Sequence, residues 1–239
     1  MTNREKIQLR RKWRLWLEQI GNDLGGLLTG HDILENVLEI ANNNVNVRSP
    51  NLFLSWIVSN YSVRVAVGIR RLTDHDKRTI SLLRLIKDIS EHPQAITRCY
   101  YIESYRDKRL VEGGLADCDF DNFANQGSDS VSIYKLTRDM KRLESATDRI
   151  RKFTNKWFAH WDPSRRIRRL PTFEDVKESL EAIDKIFCKY FLLLKRGGMT
   201  TRKPVLQYDW KEPLRNAWIE TKTRKLGKAT ILFGTRIAG

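Results

Sequence analysis

One short segment, residues 149–163, holds the residue types and spacing in this chain that are best suited to chemistry. Near its end lies His160, and Pro163 follows closely enough to stop a helix there. Histidine is the side chain that accepts and donates protons near neutral pH. Lys156 precedes it by four residues, which on an α-helix places both side chains on one face. We therefore predict a proton-transfer site at a helix end.

Basic residues flank this histidine on both sides. Arg149 falls on the same helix face about three turns away, ~16 Å along the axis, whereas Arg151 points to the opposite side. A histidine among cations can move a proton to or from a ribose oxygen while the cations neutralise the phosphate. The predicted catalytic residues are therefore His160, Asn155 and Lys156. The predicted nucleic-acid contacts are Arg149, Arg151, Trp161, Arg165, Arg166, Arg168 and Arg169.

A second interpretation of His160 stays open. A histidine at a helix C-terminus can serve structure alone, through the helix dipole and a hydrogen bond. The other histidines, His31, His75 and His92, are isolated in the sequence and are expected at surface or cap positions. No spacing typical of a metal site or of a phosphate-binding loop occurs, so neither a metal nor another cofactor is predicted.

The overall charge points in the same direction as the segment. The 239 residues include 44 Lys and Arg against 29 Asp and Glu, a formal charge of +15. Such an excess favours nucleic acid as the partner, although a basic surface can also serve solubility alone. Three unpaired cysteines, no secretory signal and an apolar stretch interrupted by Asn60 and Arg64 predict a cytoplasmic protein without a membrane partner.

Hydrophobic periodicity predicts long helices and few strands, and hence an all-α antiparallel helical bundle. Glycines at positions 21, 25, 26 and 30 are expected to break the first helix. A polar stretch at 113–132 is expected to be a loop. Residues 1–196 would form the bundle, and residues 197–239 a basic C-terminal extension that packs on it or trails from it. The predicted helices are Lys6–Ile20, Asp32–Ala41, Leu52–Leu72, Thr79–Ile89, a stripe from Ile133 to Trp157, and a Thr172-capped helix that ends at Gly197–Gly198.

Residues 155–162, Asn-Lys-Trp-Phe-Ala-His-Trp-Asp, resemble the terminal motif of the HEPN superfamily of nucleotide-binding proteins. Two middle segments, Val67–Asp74 and Ile80–Ile86, are similar to the AbiU-type branch, which is named for abortive infection. Asp209–Lys211 and Trp218 also look like that branch. The resemblance covers about residues 10 to 220.

The resemblance implies a helical bundle whose motif helices meet in a homodimer and form one composite site. It implies a metal-independent ribonuclease of a phage-defence or toxin–antitoxin system, with RNA and a possible antitoxin or defence protein as partners. His160 would then be the acid–base residue, Asn155 would orient the helix end or the phosphate, and Asp162 would shape the turn. Thr154 occupies the slot where the family carries an arginine.

Two alternatives to an RNA-cleaving protein therefore stay open at this point. The first is a catalytically inactive HEPN-like module that binds RNA, a nucleotide or a protein. The second is a basic helical scaffold whose charge has no nucleic-acid role. Salt-sensitive binding without turnover would indicate the first, and a flat salt response the second.

Overall fold

The computed structural model describes residues 1–44, 51–105, 108–159 and 169–215, and within these ranges the chain is helical without a β-strand. The all-α prediction is confirmed. The helices, in chain order, are α1 (Asn3–Asn43), α2 (Leu52–Leu72), α3 (Leu82–Glu91), α4 (Arg98–Glu103), α5 (Lys108–Glu112), α6 (Leu115–Asp121), α7 (Ile133–Thr154), α8 (Phe173–Lys195) and α9 (Glu212–Arg215), with a 3-10 turn at Pro93–Ala95 and a π-helical turn at Asn155–Ala159.

The sequence prediction for the first helix is wrong. The glycines at 21, 25, 26 and 30 do not break it, and α1 continues as one helix of 41 residues. One of these glycines allows a neighbour to approach closely. A Cβ at Gly21 would lie 2.7 Å from Cζ of Phe187 on α8, whereas a Cβ at Gly25 would make an ordinary contact of 3.5 Å with the carbonyl of Arg202. Gly21 therefore serves helix packing, and none of the four glycines reverses the chain.

Four long helices form the body of the bundle, and each antiparallel pair can be identified by its cross-contacts. Helix α1 runs against α8, because Arg14 donates to the carbonyl of Leu194 while His31, further along α1, stacks on Phe173. Helices α1 and α2 are also antiparallel, as are α2 with α7 and α7 with α8. Helix α3 packs across α1 and α7. The core is one continuous apolar cluster between these helices.

Helix α2 has the bounds that the sequence predicts. Asn51 caps it through bonds from the backbone of Phe53 and Leu54, and Arg70 and Arg71 lie in its last turn. Its buried residues all lie on one face of its second half, whereas its first half exposes large apolar side chains such as Trp56. Among the described helices it alone is long and apolar enough to cross a membrane, which is weak evidence for a span because soluble helices pass the same test.

The polar segment 113–132 is not a plain loop, contrary to the prediction. It contains α6, which begins after Gly114 in the left-handed region with φ of 74°. Phe120 and Phe123 are fully buried in the core. Arg98 on α4 pairs with Asp117 and Asp121 and fixes the segment from outside. Composition alone gives a poor prediction here because the few apolar residues do the packing.

Helix α8 begins as predicted and ends nearly so. The hydroxyl of Thr172 and the carboxylate of Asp175 form a reciprocal capping box. The helix ends at Lys195, and Arg196 rather than a glycine adopts the left-handed conformation, with φ of 56°. Beyond it, Thr201 and the backbone of Arg202 bond to Asp184 of α8. The described start of the extension therefore contacts the bundle, while the division at residue 196 stays a prediction.

Candidate functional site

The apolar residues that the sequence predicts on the core-facing side of α7 and the turn after it, from Ile133 to Trp157, are not all buried. Leu136, Leu143 and Ile150 are buried as expected. Trp157 is 41% exposed, because the helix changes to a π-helical turn at Asn155–Ala159 and the α-helical spacing no longer applies. Its ring stacks on Phe153 at 5.9 Å. The predicted core position for Trp157 is therefore wrong, and its ring is accessible to a ligand.

Thr154, in the slot of the family's arginine, faces inward. It is 1% exposed, and its hydroxyl donates to the carbonyl of Ile150 at 2.7 Å and lies 3.2 Å from the carbonyl of Ala66 on α2. These contacts join the last turn of α7 to α2. A threonine is suited to this position because it closes a small gap and satisfies its own hydroxyl. No charged side chain could take its place without being buried.

The next residue, Asn155, faces outward and meets a residue from another helix. Its side-chain oxygen accepts a hydrogen bond of 2.6 Å from Nε of Arg70, in the last turn of α2. Asn155 is exposed, and Arg70 is half-buried. Ala66 and Arg70 are one turn apart on α2, so the contact of Thr154 with Ala66 places Arg70 beside Asn155. The sequence analysis did not identify Arg70 as a site residue.

The signal that could have found Arg70 was present in the sequence. It lies inside Val67–Asp74, one of the segments that resembles the AbiU-type branch. What the sequence does not show is that this segment ends against the turn that follows α7. Its neighbour Arg71 points elsewhere, because its guanidinium pairs with Asp23 of α1 at 2.9 Å. Two consecutive arginines therefore have different surroundings.

The predicted cations on α7 and after it also differ from one another in their partners. Arg149 forms an ion pair and hydrogen bond with Asp175, the capping residue of α8, and Arg169 lies 3.9 Å from the same carboxylate. Arg151 is half-buried and pairs with no acidic group in the part of the chain that the structure describes. Lys156 is half-buried in the π-helical turn. Of these four, Arg149 and Arg169 both contact the carboxylate of Asp175 at the start of α8.

Several predicted site residues lie outside the described residues. They are His160, Trp161, Asp162, Arg165, Arg166 and Arg168. Their roles, and the shared face of Lys156 and His160, therefore stay predictions. The structure does bring together Asn155, Lys156 and Trp157 at the helix end, directly before His160 in the chain, with Arg70 beside them.

The other histidines have structural surroundings. His31 was expected at a surface or cap position, but it is 7% exposed between α1, α2 and α8. Its Nδ1 lies 2.5 Å from the Tyr61 hydroxyl, and its ring stacks on Phe173. Burial lowers its pKa, and the nearby Glu35 opposes that shift. His92 caps the end of α3 as expected, and His75 is exposed and lies 3.4 Å from Glu144.

The described residues offer neither an activated cysteine nor a cluster of metal ligands. Burial, together with the charge of Asp184, raises the pKa of the Cys188 thiol to about 11, which disfavours the thiolate that a nucleophile requires. Within the described ranges, no group of three His, Cys, Asp or Glu side chains could hold a metal ion. That observation does not reach residues 160–168.

The described geometry defines a class: an all-α bundle with a cationic, partly aromatic helix end on which the family's histidine motif begins. The family model for AbiU2, a HEPN family, matches residues 4–217. The match spans most of the chain, so the chain belongs to the HEPN AbiU2 family and is a HEPN-like protein of the abortive-infection type. Neither a curated protein nor a solved structure gives a significant match.

Proposed function

We propose that this protein is RNA-directed and acts as a metal-independent endoribonuclease in a phage-defence or toxin–antitoxin system. The observation that carries the proposal is the helix end at Asn155–Ala159. It holds an exposed tryptophan and a lysine, and it has an arginine from α2 beside it, immediately before the histidine of the family motif. A positive formal charge of +15 favours a polyanionic partner.

In the proposed reaction, His160 moves the proton and RNA supplies both the nucleophile and the leaving group. The ribose 2′-hydroxyl gives its proton to the imidazole and its oxygen forms a bond to the adjacent phosphorus. The bond from phosphorus to the 5′-oxygen breaks, and the imidazolium returns its proton to that oxygen. The products are a 2′,3′-cyclic phosphate and a free 5′-hydroxyl. Cations near the phosphate stabilise the charge that develops on its oxygens.

The second copy of the chain is part of this proposal. The family places two motif helices together, and the homodimer would bring two copies of His160 to one composite site. The proposal also places the protein in the cytoplasm and gives it an antitoxin or another defence protein as a partner that restrains it. Size-exclusion chromatography with light scattering measures the dimer directly, and a monomer at micromolar concentration would remove this part of it.

A catalytically inactive binding module is the second candidate, and a specific observation favours it. Thr154 is buried and its hydroxyl is bonded within the bundle, so the motif position that usually carries arginine cannot present a cation to a phosphate. Such a protein would bind RNA without cutting it. The two candidates share the same surface and differ only in turnover.

Cleavage of RNA in EDTA separates the candidates. The wild type, His160→Ala and the control His75→Ala, at an exposed histidine away from the helix end, are incubated with a mixed pool of single-stranded RNA. We expect cleavage by the wild type and by His75→Ala, with loss of at least about 100-fold for His160→Ala, the scale of general acid–base catalysis. Salt-sensitive binding without cleavage selects the binding module. Absence of both binding and cleavage rejects the RNA-directed role.

A further inference from the structure

The last turn of α2 contains two consecutive arginines that have different partners. Arg71 is neutralised by Asp23 across the α1–α2 contact. Arg70 donates one hydrogen bond, from Nε, to a neutral amide oxygen, that of Asn155. In the part of the chain that the structure describes, no carboxylate lies within ion-pair distance of Arg70. The described residues therefore leave its positive charge without a counter-charge, in a partly exposed position.

The remaining donors of this pair are suited to an anion. A guanidinium carries five N–H donors, and Arg70 uses one of them on Asn155. Its two terminal amino groups have no hydrogen-bond acceptor among the described residues. Asn155 accepts through its oxygen, so its amide NH₂ supplies two more donors on an exposed side chain. A planar array of N–H groups on a positive charge is the arrangement that recognises phosphate oxygens in a bidentate way.

The position of the pair gives it a role. Thr154 cannot present a charge, because it is buried against Ala66. The same contact fixes α2 so that Arg70, one turn further on, reaches the first residue after α7. Arg70 of α2 therefore places a positive charge beside Asn155, at the start of the π-helical turn, although position 154 of the motif is a threonine.

We propose that Arg70 supplies the phosphate-binding guanidinium of the site, with Asn155 as the residue that orients it. The ligand class is a phosphodiester of single-stranded RNA, and the inference thus rests on the RNA-directed function proposed above. Arg70 would contact the phosphate through its terminal amino groups. Asn155 would hold the plane of the guanidinium through the Nε bond and donate its own amide hydrogens to the same anion.

The test compares the two neighbouring arginines. The probe is a fluorescent 12-nucleotide single-stranded RNA with 2′-O-methyl riboses, which cannot be cleaved because the nucleophile is blocked. Affinity is measured from low to physiological salt for the wild type, Arg70→Ala, Arg70→Lys, Asn155→Ala and Arg71→Ala. The Arg71→Ala variant removes the same charge one residue away and is the matched control. Circular dichroism confirms that each variant is folded.

Distinct outcomes are expected for each variant. Arg70→Ala should lose affinity about 10- to 100-fold, and its slope of log affinity against log salt should shrink by about 0.7, the value of one phosphate contact on a single strand. Arg70→Lys should restore the slope but not the full affinity, because lysine lacks the fork. Asn155→Ala should keep the slope and weaken binding. Arg71→Ala should change affinity by less than about threefold and leave the slope unchanged.

Two readouts separate this inference from the function it rests on. If wild-type protein binds RNA but Arg70→Ala keeps the full slope, Arg70 only joins α2 to α7, and the inference is overturned while the RNA-directed role stands. If the wild type does not bind RNA, the proposed function fails. The inference is then decided by inorganic pyrophosphate. The ¹⁵Nε–H resonance that disappears in Arg70→Lys must move on titration, and a resonance that stays fixed rejects the anion site.

Discussion

Two charged side chains of this bundle, Asp88 and Arg70, differ in whether an opposite charge lies beside them. Near one end, Asp88 of α3 is 4% exposed and accepts hydrogen bonds from Lys12 and from the indole of Trp13, both at 2.6 Å, with Arg84 nearby. At the end of α7, Arg70 bonds to the neutral amide of Asn155, and no acidic partner for it is found among the described residues. The buried carboxylate is therefore paired within the protein, whereas the described residues offer Arg70 no counter-charge.

A charge that is paired within the protein stabilises the fold, whereas a charge without such a pair can bind a ligand. Burial alone would raise the pKa of Asp88, but the bonds from Lys12 and Trp13 and the charge of Arg84 outweigh it and lower the pKa. A carboxylate held in this way stabilises the native state above its ordinary pKa. Arg70 has no acidic partner among the described residues and is partly exposed, so we expect its charge to be available to a ligand.

The largest expected effect comes from forcing an arginine into the motif slot. Thr154→Arg places a charge at a position that is 1% exposed and should destabilise the protein by about 3 kcal/mol or more, or prevent folding. Thr154→Val, which keeps the shape and loses the hydroxyl bonds, should cost only about 1 kcal/mol. Urea unfolding measures both. A stable Thr154→Arg protein with raised RNA affinity would show that the slot faces outward.

Removal of the matched carboxylate should have the next largest effect. Asp88→Ala leaves the Trp13 indole without its acceptor and removes the counter-charge of Lys12, at a cost of about 3 kcal/mol in the free energy of unfolding. The control Asp76→Ala removes an exposed carboxylate that pairs with Arg78, and its urea midpoint should stay close to the wild type. Equal urea midpoints for Asp88→Ala and Asp76→Ala would contradict the claim that the buried, paired carboxylate of Asp88 stabilises the fold.

Close helix packing at the glycines of α1 can be tested with a matched pair. Gly21→Ala forces a methyl group to within 2.7 Å of Phe187 and should destabilise by about 1–3 kcal/mol. At Gly26 the new methyl group would lie 3.5 Å from Arg64, an ordinary contact, and Gly26→Ala should stabilise the helix by about 0.5–1 kcal/mol. Thermal unfolding distinguishes the two signs. The same sign for both would indicate that α1 is broken at these positions.

The smallest effect is a pH dependence from His31. Burial lowers its pKa, with Glu35 opposing, so the neutral form is favoured in the folded protein. Stability from this group is therefore present above pH 6.5, the ordinary value, and is lost as pH falls below it. The unfolding midpoint of the wild type should decline between pH 7 and pH 5 more steeply than that of His31→Gln.

Local signals in the sequence predict much of this fold. The bounds of α2 and the capping box at Thr172 follow from residues that act on their immediate neighbours. Predictions fail where distant residues decide. The glycines of α1 have the composition of a helix breaker, but α1 continues through them, and Phe187 of α8 packs against Gly21. Two apolar side chains anchor the polar segment 113–132 in the core, which composition does not reveal.

The candidate site shows the same limit. The sequence identifies Asn155 and Lys156 and the position of His160 directly, because they are adjacent in one motif. It cannot place Arg70 beside Asn155, since the two residues are separated by 85 positions and meet only when α2 crosses α7. It also does not show that Thr154 points inward or that a π-helical turn exposes Trp157.

Ultraviolet cross-linking of bound single-stranded RNA, followed by peptide mass spectrometry, is the decisive measurement, because it locates the nucleic acid on the protein without assuming a mechanism. We expect cross-links in the last turn of α2 and in peptides that span Asn155–Ala159, with Trp157 as the main site. Cross-links concentrated instead on α3 and the first half of α1, around Lys12 and Arg84, with none at Trp157, would contradict it.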